Sequence, residues 1–461
     1  MPPTATAQTR PDVRALDARL TGCAYGPGDA GYDEARTGFV LAVDLRPAAV
    51  VLPETAEDVV AAMAFAREHG LRVAPQATGH NAYPLGGLED AVLIKTRRMR
   101  SVEIDAERRV ARVGAGAWMI EVVEPAQEHG LAPLIGSSPD VGVVGYTLGG
   151  GVSWFARKHG LGANNVVAIE VVTPDGRHVR ADHDHEPELF WALRGGGGNF
   201  GVVTAIELRL FPVEAAFAGV IFFPVERAAE VLKAWVAWTA DAPEEVTSIG
   251  RILNLPPIED VPEPFRGRSW VTVEAVFLGS EEEGERLLAP LRDLGPEIDM
   301  FGMLPPAAIN RLHMAPEGAV PAFCSDHLLI ERLDDEGVER LVQTVGAGSG
   351  TPLMLTELRH IGGAAARSGA DHGAIDTLDG EFLAFGVGIP MGEGTGALID
   401  AHRGRIRDAL AGYSTGREYL NFRERATDAA TFFGPETHAR LKAIRAQVDP
   451  ARTFLANHPI N

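Results

Sequence analysis

The spacing of apolar residues changes several times along this chain, and each change marks an element. ETAEDVVAAMAFAREHG reads as an amphipathic helix. Thr55 is the expected N-cap, Asp58 completes a capping-box-like turn, and Gly70 ends the helix. LRVAP then reads as a strand, QATGHNAYPLGG as a loop and AVLIKT as a buried strand, while SVEIDAERRVARVGAG reads as a hairpin. WMIEVVEPAQEHG returns to helical spacing and closes on Gly130. NNVVAIEVVTPDGRHVRA folds back at Pro174-Asp175-Gly176. PELFWALRGGGGNFGVVTAIELRLFP adds a short helix, a four-glycine loop and a strand ending near Pro212. Before residue 37 the chain is polar and irregular apart from a helical pattern at Arg10–Leu20. These alternations predict an α+β fold rather than a regular βαβ series.

From about residue 214 to 415 the pattern shifts. GVIFFPV, SWVTVEAVFLG, HLLIERL, LMLTELRHIGG and FLAFGVGIP read as strands, with helical segments RAAEVLKAWVAWTA, EEEGERLLAPLRDL and EGVERLVQTVGAG between some of them. An antiparallel sheet flanked by helices on one side fits this region. The tail carries a helix at Pro435–Val448, stopped by DPAR.

At 461 residues, with 46% hydrophobic and 23% charged, the chain is a globular protein long enough for two or three domains. Its formal charge of −21 argues against nucleic acid or anionic membranes as partners, since both need a basic footprint. Cys23 and Cys324 stand far apart in unrelated contexts, so neither a disulfide framework nor a zinc site is expected. His183 and His185 in ADHDHEPE look metal-like but read better as a solvated turn, and no metal is expected. Without an eighteen-residue apolar run or an N-terminal apolar segment, the expected compartment is the cytoplasm.

The chemistry concentrates in Ser137 to Gly151, SSPDVGVVGYTLGGG, ahead of a helical pattern expected to start near Val152. A glycine-rich turn feeding a helix leaves N–H groups open to an anion. Neither the Rossmann G-x-G-x-x-G order nor the P-loop lysine is present. A phosphate-bearing ligand held by another fold is the reading that remains.

Four motifs in order resemble one family. They are Ala74-Pro-Gln-Ala-Thr-Gly-His80, Ser138-Pro-Asp-Val-Gly142 through Gly151, Leu193-Arg-Gly-Gly-Gly-Gly-Asn-Phe-Gly-Val-Val203, and a tail with Tyr419-Leu-Asn421, Asp449-Pro450 and Phe454-Leu-Ala-Asn457. Together they resemble the FAD-linked oxidases with a vanillyl-alcohol-oxidase or PCMH-type FAD domain, in the berberine-bridge-enzyme-like branch that includes bacterial 6-hydroxynicotine-oxidase-like flavoproteins. The resemblance implies an N-terminal extension over 1–36, a PCMH-type FAD-binding domain over 37–213, a substrate-binding domain over 214–415, and a C-terminal segment over 416–461 returning to the FAD domain.

It also implies site residues. The loop Pro75, Gln76, Ala77, Thr78, Gly79, His80 and Asn81 would wrap the FAD pyrophosphate with backbone N–H groups. Ser138, Val141, Gly142, Thr147, Gly150 and Gly151 would line the dinucleotide from the other side, joined by Asn199 and Val203. Asn421 and Asn457 carry amides suited to the pyrimidine edge of a flavin. His80 stands where members of the family attach FAD covalently through its 8α-carbon. Some members add a cysteine tether at the position held here by Ser138, so a single bond is expected. Val141 holds the position that influences oxygen access, where valine goes with oxygen-reactive members and isoleucine with dehydrogenases.

For proton transfer, the family commonly uses a tyrosine or carboxylate near Y-x-N-Y. The matching residues are Tyr419-Leu420-Asn421-Phe422, so Tyr419 stays a candidate and the second hydroxyl is missing. Glu357 shares a strand face with Arg359 and is a second candidate, with a surface ion pair as its plainer reading. Tyr146, in the glycine-rich turn, would face the ring or the substrate.

The expected function is an FAD-dependent oxidase that takes a hydride from a small alcohol, amine or natural-product intermediate and passes the electrons to molecular oxygen, giving hydrogen peroxide. With six Trp and six Tyr and no evident sugar-stacking cluster, a carbohydrate donor is the weaker expectation. A dehydrogenase with another acceptor, or a flavin-binding protein without catalysis, are the alternatives. A homo-oligomer is compatible with everything above.

Overall fold

The computed structural model describes residues 11–461 apart from 260 and 323. The first ten residues, and with them the start of the Arg10–Leu20 pattern and of the N-terminal extension, lie outside the described residues. The described part of that pattern is helical only at Val13–Asp17.

Two main sheets, with a short two-stranded pairing of Phe211–Pro212 on Leu131–Ala132, form the half of the molecule before residue 214. The first runs in the order Cys23–Tyr25, Ala49–Leu52, Ala91–Lys95 and Arg72–Gln76, with the last three strands parallel. Helix Ala56–Glu68 covers it, burying Val59, Ala62, Met63 and Ala66 against Val51, Val73, Val92 and Ile94. Thr55 and Asp58 form the expected capping box, and the Asp58 carboxylate also accepts the N–H groups of Thr21 (2.8 Å) and Gly22 (3.0 Å). The second sheet is antiparallel, in the order Val102–Asp105, Val110–Gly114, Val202–Arg209, Val166–Val172 and His178–Ala181. The tail joins the first sheet: Val73 donates its N–H to the Thr453 carbonyl, and Leu455 donates back to Val73, both at 2.8 Å.

The glycine-rich segment folds differently from expectation. Its helix is Val143–Leu148, inside the motif, with Gly142 as N-cap. Gly150 and Gly151 follow at φ +122° and +77°, a backbone course that a helix cannot take. The chain after Val152 therefore yields only a single turn, Ala156–His159.

The third sheet is wholly antiparallel. Its main strands run in the order Ala216–Pro224, Ser269–Phe277, Val246–Asn254, Leu355–His360, Phe382–Gly388 and Cys324–Ile330, with short edge pairings beside Ala216–Pro224. One face packs on helices Ala228–Asp241, Glu281–Arg292, Asp335–Val345 and Thr395–Leu410 through Trp235, Leu288, Leu341 and Ile399. The opposite face, with Val220, Phe222, Ile249 and Leu253, shares one core with residues of the second sheet. Strand Val246–Asn254 and helix Thr395–Leu410 escape the apolar pattern because they bury polar side chains. Thr247, Ser248 and Arg251 are buried on the strand, and His402 and Arg403 on the helix. His402 Nε2 meets the Thr344 carbonyl at 2.7 Å, and Arg403 donates to the Ser325 carbonyl, so both side chains find partners inside.

Candidate active site

A cavity of about 440 Å³ lies where the three sheets and the tail converge. Every residue from Pro75 to Asn81 lines it, as do Ser138, Val141, Gly142, Asn199, Val203, Tyr146, Tyr419, Asn421 and Asn457. Thr147, Gly150, Gly151 and Glu357 do not reach it. The helix Val143–Leu148 turns Thr147 inward, and Val144, Gly145, Leu148 and Gly149 take the wall instead.

His80 is flanked on two sides. Its ring stacks on Phe39 with centroids 3.5 Å apart and planes 17° from parallel. Its Nε2 faces Asp140 Oδ1 at 3.5 Å. Asp140 in turn accepts Ser138 Oγ–H (2.8 Å) and the Gly318 N–H (2.7 Å). Burial pushes the Asp140 carboxyl up, but His80, Gly318 and Ser138 outweigh it and leave the group below its ordinary value. An ionised, fixed carboxylate therefore faces the imidazole, whose Nε2 is buried without a hydrogen bond.

Around this point polar atoms lack protein partners. Gln76 Nε2 and Oε1 and Asn81 Oδ1 are buried with no hydrogen bond. Each would cost about 1–3 kcal/mol if left dry, so the wall asks for a polar occupant. A cradle of glycines admits it: Gly145 has open space where a Cβ would project, and a Cβ on Gly149 would stand 1.8 Å from Asn421 Oδ1. The donor set, the small residues and the fixed histidine fit FAD.

Several expected contacts turn out to be internal ties. Asn199 spends its whole amide on the protein, donating to the Gly196 (2.8 Å) and His458 (3.0 Å) carbonyls and accepting from Arg445 (2.8 Å) and the Ile460 N–H (3.0 Å). Asn457 donates to the Asn81 carbonyl and so locks the tail onto the His80 loop. Asn421 donates to the Tyr146 carbonyl (2.9 Å) and to the Tyr419 oxygen (3.1 Å).

The three proton-transfer candidates sit in different surroundings, with Tyr146 and Tyr419 on the cavity wall and Glu357 behind it. Tyr146 gives its hydroxyl to the Leu134 carbonyl at 3.1 Å, between Gly136 and Gly151, and burial raises it well above the ordinary phenol value. The Tyr419 oxygen, 1% exposed, accepts the N–H groups of Gly151 (3.0 Å) and Val152 (3.1 Å) besides Asn421. It staples the glycine turn to the tail. Glu357 is no surface pair: it is fully buried one layer behind the wall.

Glu357 belongs to a buried chain of charges. Arg359 Nε donates to it at 2.5 Å, and Arg359 Nη2 donates to Ser137 Oγ at 3.0 Å. His313 lies between two carboxylates, with Nε2 3.1 Å from Glu357 and Nδ1 2.8 Å from Glu274, while Arg251 pairs with Glu274 on the far side. Burial pushes Glu357 up, yet Arg359 and His313 outweigh it and hold the group well below its ordinary value. A carboxylate held so firmly ionised beside the Arg359 guanidinium is a poor proton acceptor. Its work is to carry Arg359 and His313, which do reach the cavity.

One carboxylate lines the cavity among the described residues, and sequence reasoning missed it. Glu424 follows Phe422 by two positions and accepts the Ser325 N–H at 3.1 Å. Burial raises it to about 7, against the pull of Ser325 and Arg403. The segment carrying it is pinned twice. His327, neutral because burial lowers it to about 4, accepts the Tyr419 N–H at 2.7 Å and bonds the Phe422 carbonyl at 3.1 Å. Arg423 pairs with Asp326 at 2.9 Å and Glu418 at 3.1 Å. The signal available in the chain was the acid two residues past Tyr419-Leu-Asn-Phe422, but nothing local says that it turns inward.

His183 and His185 stay outside this chemistry: His185 bonds Asp182 at the surface. No cluster of three metal-ligating side chains occurs among the described residues, and no helix among them is long and apolar enough to cross a membrane.

Residues 47–182 match the FAD binding domain family model. The chain is similar to (R)-6-hydroxynicotine oxidase of Paenarthrobacter nicotinovorans, 28% identical over 94% of this chain and 95% of that one. The crystal structure of 6-hydroxy-D-nicotine oxidase from Arthrobacter nicotinovorans superposes with a TM-score of 0.83 at 25% identity, covering 96% of this chain and 98% of that one. The fold is shared with Phl p 4, of which the wild type is a glucose dehydrogenase and an isoleucine-to-valine variant a glucose oxidase. Their TM-scores are 0.79 and 0.78 at 19% and 20% identity, each over 95% of this chain and 96% of that one.

Proposed function

We propose that this chain, a member of the FAD-linked oxidases with a PCMH-type FAD-binding domain, oxidises a small alcohol or amine at the cavity wall formed by Phe385, Phe422, Arg359 and Glu424, with oxygen as electron acceptor. Bound FAD supplies the two-electron oxidant, and the chain supplies binding, orientation and electrostatics. The observation that carries the reading is the His80–Asp140–Ser138 array beside unpaired Gln76 and Asn81 atoms, opposite a wall with one arginine and one carboxylate.

His80 would hold FAD through a single covalent bond to its 8α-carbon. Ser138 cannot form a second tether and instead braces Asp140. An electron-withdrawing N-alkyl bond raises the cofactor's potential, which suits a demanding donor. Val141 lines the cavity and keeps the approach to the ring open to oxygen.

The test is anaerobic mixing of purified protein with 6-hydroxynicotine, glucose, a benzylic alcohol and a cyclic secondary amine, followed by admission of air. Bleaching of the flavin by at least one donor, and its return with stoichiometric peroxide, is the expected result. Bleaching without return in air moves the protein to the dehydrogenases. No bleaching by any donor contradicts the reading.

A further inference from the structure

Glu424 occupies a position that no other described acid shares. It is the one carboxylate on the cavity wall, it stands beside the aromatic pair Phe385 and Phe422 (centroids 4.6 Å apart), and its segment is pinned through His327 and Arg423. One backbone N–H, that of Ser325, bonds it at 3.1 Å, and no ion pair engages it among the described residues. By contrast the Tyr419 oxygen is taken by three N–H donors, the Tyr146 hydroxyl is given to a backbone carbonyl, and Glu357 is locked between Arg359 and His313.

We infer that Glu424 is the residue that accepts the substrate's heteroatom proton during oxidation. The inference rests on the oxidase reading above. For an alcohol donor, the O–H bond breaks and its proton bonds a Glu424 carboxylate oxygen. The O–H electron pair becomes the second C=O bond as the C–H pair leaves with the hydride to the bound cofactor. The products are a carbonyl compound and neutral Glu424, which returns its proton to solvent when oxygen takes up the electrons as peroxide. A proton acceptor in this role works best with a proton affinity near the operating pH, and Glu424, raised to about 7, has it.

The charged and titratable groups around it act in opposite senses. Asp326 and Ser325 face it from strand Cys324–Ile330, with Asp326 raising it and Ser325 lowering it. Arg403 lowers it from helix Thr395–Leu410, where Arg407 is paired with Asp326. Arg423 precedes it in the chain, and His458, lowered to about 4 by burial and so neutral, lines the same cavity. Burial outweighs them.

The test compares the FAD-loaded wild type, Glu424→Gln and Glu424→Asp. The first readout needs no donor. Folded Glu424 holds its proton up to about 7 and unfolded glutamate only to about 4.5, so the folded state binds more protons in between and wild-type stability falls as pH rises through that window. Glu424→Gln lacks this loss, so its melting temperature gains on the wild type between pH 5 and pH 8. The second readout is anaerobic flavin bleaching by the donor from the panel that reduces the wild type fastest. Glu424→Gln is expected to be about 10²–10⁴-fold slower at pH 8, without the wild-type rise in rate near pH 7, and Glu424→Asp to keep that rise. Parallel melting curves, or equal bleaching rates in wild type and Glu424→Gln, overturn the inference. Failure of every donor to bleach the wild type overturns the oxidase reading and this role with it.

Discussion

The two walls of the cavity follow opposite plans. The wall made by 75–81, 138–149 and the tail offers backbone groups, glycines and amides, with Asp140 3.5 Å from the His80 ring behind it. The facing wall, on the large antiparallel sheet, rests on Arg251, Glu274, His313, Glu357 and Arg359, buried and linked end to end. A wall of the first kind suits a large ligand whose shape and polar groups are always the same. A wall of the second kind sets the position of Arg359 and His313 and keeps them rigid, as discrimination among small donors requires.

The sharpest way to break the contrast is on the charged wall. Glu357→Gln leaves Arg359 and His313 facing a neutral amide in a buried site, and is expected to destabilise the protein by about 3–5 kcal/mol in urea unfolding. A loss below about 1 kcal/mol would mean that the chain of charges is wet and loosely held, like a surface pair. Tyr419→Phe comes next. It leaves the Gly151 and Val152 N–H groups without their acceptor, and is expected to cost about 2–3 kcal/mol in the same assay and to loosen the glycine turn. Ser138→Ala removes one hydrogen bond to Asp140 and should cost about 1 kcal/mol, with flavin content retained. That ordering, charged wall above staple above brace, is what unfolding midpoints of the three variants should reproduce.

The same contrast explains what the sequence made legible. The FAD-side wall is written as contiguous motifs, so Pro75 to Asn81, Ser138, Val141 and Gly142 could be read directly, and all of these reach the cavity. Thr147, Gly150 and Gly151 were misread within that motif because the helix begins at Val143 and not near Val152. The charged wall is assembled from four separate segments, and none of its members has a local signature. Glu357 and Arg359 do share a strand face as alternation predicts, but alternation cannot tell a solvated face from one that packs against another half of the molecule. Glu424 was invisible for a related reason: its inward turn is imposed by His327 and Asp326, nearly a hundred residues earlier in the chain. Strand Val246–Asn254 and helix Thr395–Leu410 escaped because their buried polar residues erase the apolar period on which recognition depends.

The central claim is that this cavity holds FAD through His80. Acid precipitation of the purified protein, followed by the visible spectrum of the washed pellet, tests it most directly. The account predicts a yellow pellet from the wild type and a colourless one from His80→Ala. A colourless wild-type pellet under a yellow supernatant, or a His80→Ala pellet that stays yellow, would contradict it.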